Sequence, residues 1–174
     1  MRTPRKLKRS SAGRELDPLD SRAARAAALD ALSRRDYASD ELRGKLLGKG
    51  YDAEVVAELM DRLRAEKYLD DARYLENFVA YHAGRGQGPR RVRENLRNLG
   101  LSGADIDAAL AAYPDWLTQL KRAREKKFGT SLPTNYADRQ RQAQFLAYRG
   151  FSGAQIRSAL GLDTDLDADP KDEI

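Results

Sequence analysis

The 174-residue chain has no cysteine, which excludes a disulfide scaffold, a thiol nucleophile and any thiolate metal site. Histidine is nearly absent as well. The single one, His82, stands near a predicted helix end without a partner arrangement and reads as a surface or cap residue. Long apolar runs are missing. The longest stretch without a charge, 128–137, is ten residues, half of the roughly 20 that a membrane span requires. The basic start of the chain is interrupted by Arg14, Glu15, Asp17 and Asp20 before any apolar stretch, so no secretory signal is expected. With 34% charged residues and a mean hydropathy of -0.74, the chain reads as a soluble cytoplasmic protein without membrane contact.

β-branched residues are scarce. Val, Ile and Thr number 4, 3 and 5, against 26 Ala and 23 Leu. Strands favour β-branched and aromatic side chains, whereas Ala, Leu, Glu, Arg and Lys favour helices. So little sheet-forming material predicts an all-α fold.

Charge is unevenly spread. Residues 1–14 carry six basic residues and no acid; 161–174 carry six acids against Lys171. Neither segment has periodic apolar residues with which to offset its ordering entropy. The stretches 1–20 and 161–174 are therefore expected to be disordered tails, one basic and one acidic.

Internal repetition is the most informative feature. Gly50, Gly100 and Gly150 recur at intervals of fifty residues, each followed by an apolar residue (Tyr51, Leu101, Phe151) and then a capping type (Asp52, Ser102, Ser152). Val56, Ile106 and Ile156 stand four residues beyond the cap, then Met60, Leu110 and Leu160; Leu46, Leu96 and Leu146 precede each glycine by four. Each block reads as helix, tight turn, helix. The glycine supplies a left-handed residue that ends the first helix. The Asp or Ser accepts from the orphan N–H groups of the second, and the apolar pair around that cap forms a hydrophobic staple. Ser152 and Gln155 have capping-box spacing as well.

One further helix precedes each hairpin. The first is expected over about 21–34, with Ala24, Ala28, Ala31 and Leu32 on one face. The second starts at Asp70 and Asp71 and carries Tyr74, Leu75, Phe78 and Val79; the third starts at Pro114 and carries Leu117, Leu120 and Phe128. Three tandem three-helix repeats result, at 21–69, 70–113 and 114–160. Each is too small for a good core alone, so they are expected to stack into an elongated, curved array.

Catalytic readings find little support. The glycine-rich segment Gly84-Arg85-Gly86-Gln87-Gly88 follows a helix rather than a strand and lacks the lysine of a phosphate loop, so it reads as a flexible connector. Asp70 and Asp71 have no further metal ligands nearby and read as helix N-caps. No enzyme activity, cofactor or metal is expected.

A nucleic-acid reading is better founded. The turns resemble those of helix-turn-helix domains, yet the second helices begin with Asp52 and Glu54, or with Asp105 and Asp107, which would repel phosphates. Basic residues line other elements. Over 89–99, Arg90, Arg93 and Arg97 form a stripe opposite Val92, Leu96 and Leu99, with Arg91 beside it. The third repeat carries Lys121, Arg122, Arg124, Lys126, Lys127, Arg139, Arg141, Arg149 and Arg157 against Asp115, Glu125 and Asp138, a net of +6 over 115–160. The second repeat is neutral over 70–112, and 15–69 nets -2. The clustering marks Arg90, Arg91, Arg93, Arg97, Lys121, Arg122, Arg124, Lys126, Lys127, Arg139, Arg141 and Arg149 as candidate contacts for a polyanion or an acidic partner. The acidic tail of the chain itself competes for that role.

Four segments carry a specific resemblance: Arg35-Asp36-Tyr37-Ala38-Ser39-Asp40-Glu41-Leu42-Arg43-Gly44-Lys45-Leu46, Tyr68-Leu69-Asp70-Asp71-Ala72-Arg73-Tyr74, Gly86-Gln87-Gly88-Pro89-Arg90-Arg91-Val92 and Phe145-Leu146-Ala147-Tyr148-Arg149-Gly150-Phe151. In order and spacing, over about 22–160, the chain resembles the bacterial RecX family. Ala38 departs from the Ser or Thr usual there as a helix cap, and Ser39 or Asp40 is the expected substitute. The resemblance implies three tandem three-helix repeats that bind RecA–DNA filaments in their helical groove. It also implies restraint of filament growth, ATP hydrolysis, strand exchange and co-protease activity, and thereby a place in recombination, DNA repair and the SOS response. The expected partners are the RecA filament and single- and double-stranded DNA, met by a monomer; a stand-alone helical DNA-binding protein is the alternative.

Overall fold

The computed structural model describes residues 16–162, and over them it contains nine helices and no strand. They group in threes. Unit 1 holds α1 (Ser21–Leu32), α2 (Ser39–Gly48) and α3 (Ala53–Ala65). Unit 2 holds α4 (Asp71–Gly84), α5 (Pro89–Arg97) and α6 (Gly103–Ala112). Unit 3 holds α7 (Trp116–Phe128), α8 (Tyr136–Tyr148) and α9 (Gly153–Ala159). Most of both charged tails, 1–15 and 163–174, lies outside the described residues. Leu16 to Asp20, placed with the basic tail above, is docked instead: Asp20 caps α1 and the Pro18 carbonyl accepts the Asp52 N–H at 3.0 Å. At the other end Leu162 packs on the core of unit 3.

The fifty-residue period is the period of the cores. Leu46, Leu96 and Leu146 are buried, as are Val56, Ile106 and Ile156 and then Met60, Leu110 and Leu160. Sequestering each large aliphatic side chain contributes about 2 kcal/mol of transfer free energy. Three clusters result, one per unit. Trp116 packs on two of them and donates its indole N–H to the Leu110 carbonyl at 3.0 Å, tying α7 to the end of α6.

Gly50, Gly100 and Gly150 have φ of 99°, 78° and 92°, the left-handed region that a Cβ disfavours. At Gly50 and Gly150 the turn is a Schellman motif. Gly50 and Tyr51 donate to Leu47 and Leu46, and Gly150 and Phe151 donate to Ala147 and Leu146. Asp52 caps α3, and Ser152 with Gln155 forms a full capping box on α9. Ser102 occupies the N-cap position of α6 but accepts no capping bond. Pro114 lies ahead of α7 rather than in its first turn, with Asp115 as N-cap, and Leu117 is exposed.

The units meet at two joints of the same design. At the first, the start of α2 lies against the turn glycine of unit 2, where a Cβ on Gly100 would stand 3.0 Å from the Asp40 Cβ. Ala38, the family departure, is fully buried in the unit 2 core. It is also the N-cap of α2, so neither Ser39 nor Asp40 substitutes for it; the Ser39 N–H donates instead to Asp71 of α4 at 2.8 Å. At the second joint, the start of α5 lies against the turn glycine of unit 3. Gly88 and Arg90 donate their N–H groups to the carbonyls of Arg149 and Gly150 at 2.8 and 3.1 Å. The backbones approach so closely that a Cβ on Gly88 would sit 2.4 Å from the Gly150 carbonyl carbon. The glycine-rich segment is therefore a docked joint and not the flexible connector its composition suggests.

Candidate nucleic-acid interface

The basic residues singled out in the sequence separate into three groups. Arg124 leaves the candidate set. It is 2% exposed and donates to the carbonyls of Thr130 and Ser131 at 2.9 Å each and to the Gln142 side chain at 3.4 Å. Its guanidinium closes the loop between α7 and α8, and no partner can reach it.

The α5 stripe is half engaged. Arg93 pairs with Asp107 on α6 at 2.7 Å and Arg91 with Glu94 at 3.2 Å, while Arg90 and Arg97 are exposed. Arg91 also belongs to the joint, its backbone N standing 2.5 Å from where a Cβ on Gly150 would be. The acid that the sequence reading set against phosphate binding, Asp107, thus neutralises one member of the stripe.

Unit 3 gathers the rest. Lys121, Arg122, Lys126 and Lys127 are exposed along α7. On α8, Arg141 pairs with Asp138 at 3.0 Å and Arg139 is half-buried with its Nε 3.4 Å from the Pro133 carbonyl; Arg149, the C-cap of α8, donates to the Arg85 carbonyl at 3.0 Å. Between the end of α4 and the α7–α8 face lies a hollow of about 490 Å³, lined among others by Arg85, Arg122, Lys126, Lys127 and Arg149. No carboxylate lines it.

Aromatic rings interleave with these cations, which the sequence reading missed. Phe128 and Phe145 meet edge to face at 5.4 Å. The Lys127 ammonium stands 4.3 Å from the Phe145 ring centroid and the Arg149 guanidinium 5.0 Å, so one ring holds two cations in place. Tyr148, one turn further along α8, is 84% exposed. Arg85 falls within the segment whose composition suggests a connector. Its i,i+4 spacing to Tyr81, whose hydroxyl accepts from it at 2.9 Å, was the available sign of a surface-facing role.

The two acids read as helix caps act on different helices. Asp70 caps α4 through the Arg73 N–H at 3.0 Å, whereas Asp71 reaches across to α2. Among the described residues no group of three or more metal-ligand side chains is present. The His82 Nδ1 lies 3.0 Å from the Gln87 side-chain oxygen, within the second joint, and burial pushes the imidazole below its ordinary pKa. No helix in the described residues is long and apolar enough to cross a membrane.

Comparison with known proteins agrees with the repeat. Residues 24–63 match the first three-helix domain of RecX, 70–110 the second and 115–160 the third. Regulatory protein RecX of Ectopseudomonas mendocina (strain ymp) is 45% identical over 131 residues, covering 75% of this chain and 87% of its own. Regulatory protein RecX of Halorhodospira halophila (strain DSM 244 / SL1) is 41% identical over 140 residues, covering 80% and 87%. The crystal structure of RecX from Lactobacillus salivarius superposes with a TM-score of 0.71 at 22% identity, covering 83% of this chain and 97% of its own, a likeness of fold. With each three-helix unit matched in order and the relatives aligned over most of their length, the chain belongs to the RecX family.

Proposed function

We propose that the protein regulates RecA by lying along the RecA–DNA filament and restraining its growth, and with it ATP hydrolysis, strand exchange and co-protease activity. It works as a monomer in the cytoplasm, by binding and without catalysis of its own, within recombination, DNA repair and the SOS response. The observation that carries this reading is the family match across all three units, in relatives named regulatory proteins. Physical support comes from the joints. Units tied by the Ser39–Asp71 bond and by the backbone bonds of Gly88 and Arg90 present several contact surfaces at once, and a repetitive filament rewards such multivalency. The exposed cations of unit 3 suit the anionic side of a DNA-loaded filament.

The test is RecA's DNA-dependent ATP hydrolysis with sub-stoichiometric amounts of this protein, alongside electron microscopy of the filaments. A reduced rate with shortened filaments is expected. An unchanged rate with unaltered filaments refutes the reading. The unpaired cations of unit 3 favour one second reading, a stand-alone DNA-binding protein, and naked DNA bound as tightly as the RecA filament would select it.

A further inference from the structure

We infer that the α7–α8 face of unit 3, with the end of α4, is a binding site for single-stranded nucleic acid, in which one strand's phosphates enter the cationic hollow and a base stacks on Tyr148. The inference deepens the filament reading by naming what this face contacts, and rests on it only for the strand's presence in the cell.

The hollow supplies the charge. Arg122, Lys126 and Lys127 come from α7, and Arg85 and Arg149 from the C-caps of α4 and α8, so two units contribute; among the described residues none of the five is ion-paired. Folding has brought like charges together, which costs electrostatic free energy unless an anion offsets it. They are also partly pre-positioned. Arg149 is held by the Arg85 carbonyl and the Phe145 ring, and Lys127 by the same ring from the neighbouring helix. Less side-chain entropy is then lost when an anion arrives.

The exposed ring selects a single strand. A hollow of about 490 Å³ is of small-molecule size, room for phosphates of one backbone. Lys127 and Phe145 form its wall towards a second hollow of about 600 Å³, which Phe128, Arg141, Gln144 and Tyr148 complete. The cations already occupy the Phe145 ring, so it is a scaffold. Tyr148 is the ring left free to solvent. A flat exposed aromatic beside a cationic groove accepts any unpaired base, because every base has a π-face, whereas the base faces of a duplex are already stacked.

The test uses the full chain, without RecA, in fluorescence anisotropy with a fluorescein-labelled dT 20-mer, a matched rU 20-mer and a 20-base-pair duplex. The single strands should bind more tightly than the duplex. Tyr148→Ala should weaken single-strand binding about 5- to 150-fold, the range for one lost stacking contact. Duplex binding should change less than about twofold and helix content not at all, with Tyr148→Trp restoring affinity. Tyr136→Ala, at another largely exposed tyrosine outside both hollows, should be silent. The Arg122→Glu, Lys126→Glu double variant should lower affinity and reduce the slope of log affinity against log salt by about 1.4 for the single strand. The dT and rU arms decide between DNA and RNA. Duplex binding as tight as single-strand binding, or an unaltered Tyr148→Ala variant, overturns the proposal. So does poly-glutamate displacing dT equally from wild type and Tyr148→Ala, which would mark an acidic-peptide site. Failure here leaves RecA inhibition by the wild type intact; absence of that inhibition, with strand binding retained, sinks the filament reading alone.

Discussion

The Asp71 carboxylate, at the first residue of α4, accepts the backbone N–H of Ser39, at the first residue of α2, over 2.8 Å. One helix's opening acid thus accepts the first-residue N–H of another helix in the preceding unit, whose N-cap Ala38 makes no side-chain cap bond. The bond couples unit 1 to unit 2.

Asp71→Ala should therefore cost about 1 kcal/mol, the usual value of a lost N-cap, and the loss should appear in α2. Amide hydrogen exchange at the first turn of α2 should quicken, while α4, capped by Asp70, keeps its protection. Ser39→Ala removes a buried hydroxyl without a partner and retains the N–H, so urea unfolding should find it neutral or slightly stabilised.

Gly88 and Gly150 define the second joint by contact rather than by φ alone. Gly88→Ala needs no forbidden backbone angle, since φ there is -84°, yet its Cβ would overlap the Gly150 carbonyl. A cost of about 1–3 kcal/mol is expected from overpacking, with increased protease sensitivity near 84–89. Gly150→Val puts a Cβ 2.5 Å from the Arg91 backbone N and adds a disfavoured positive φ, so it should lose more. Gly44→Ala, in open space within α2, should raise the melting temperature, because alanine is the better helix former.

Arg124→Ala should destabilise by about 2–4 kcal/mol, because two carbonyls in the α7–α8 loop and the Gln142 side chain on α8 lose a charged donor. Lys121→Ala on the exposed face should stay within about 0.5 kcal/mol. Thermal melts separate the two. The charge of unit 3 is thus tested by Lys121→Glu with Lys127→Glu, leaving Arg124 in place. That pair should weaken RecA inhibition and flatten its salt dependence without loss of helix content.

His82 contributes a pH dependence of definite sign. Burial, the dominant cause, lowers its pKa; Arg85 adds to this, and the Gln87 hydrogen bond opposes it. The unfolded chain then binds the proton more readily than the folded one, so stability rises with pH through this window. The contribution is complete above the unfolded pKa near 6.5 and is lost as pH falls towards the lowered folded value. Denaturant midpoints at pH 7.5 and 5.5 should show a drop in the wild type that His82→Asn reduces.

The chain by itself determined the helices, the order of the units and the turns. Those rest on interactions within a few residues: apolar spacing at Leu46, Val56 and Met60, a left-handed glycine, and an Asp or Ser beside the next helix. The period of fifty repeated that local code three times and made it legible. What crosses between units was decided only by tertiary structure. Asp71 and Ser39 lie 32 residues apart, and Arg149 and Arg85 64, with nothing in local sequence to pair them. Arg124 and Lys126 look alike on paper, yet packing turns one inward to the loop carbonyls and leaves the other in solvent. The cationic hollow has the same origin: its walls come from α4, α7 and α8, and the docking of Gly88 on Gly150 and of Gly86 on Ala123 brings Arg85 beside Arg149.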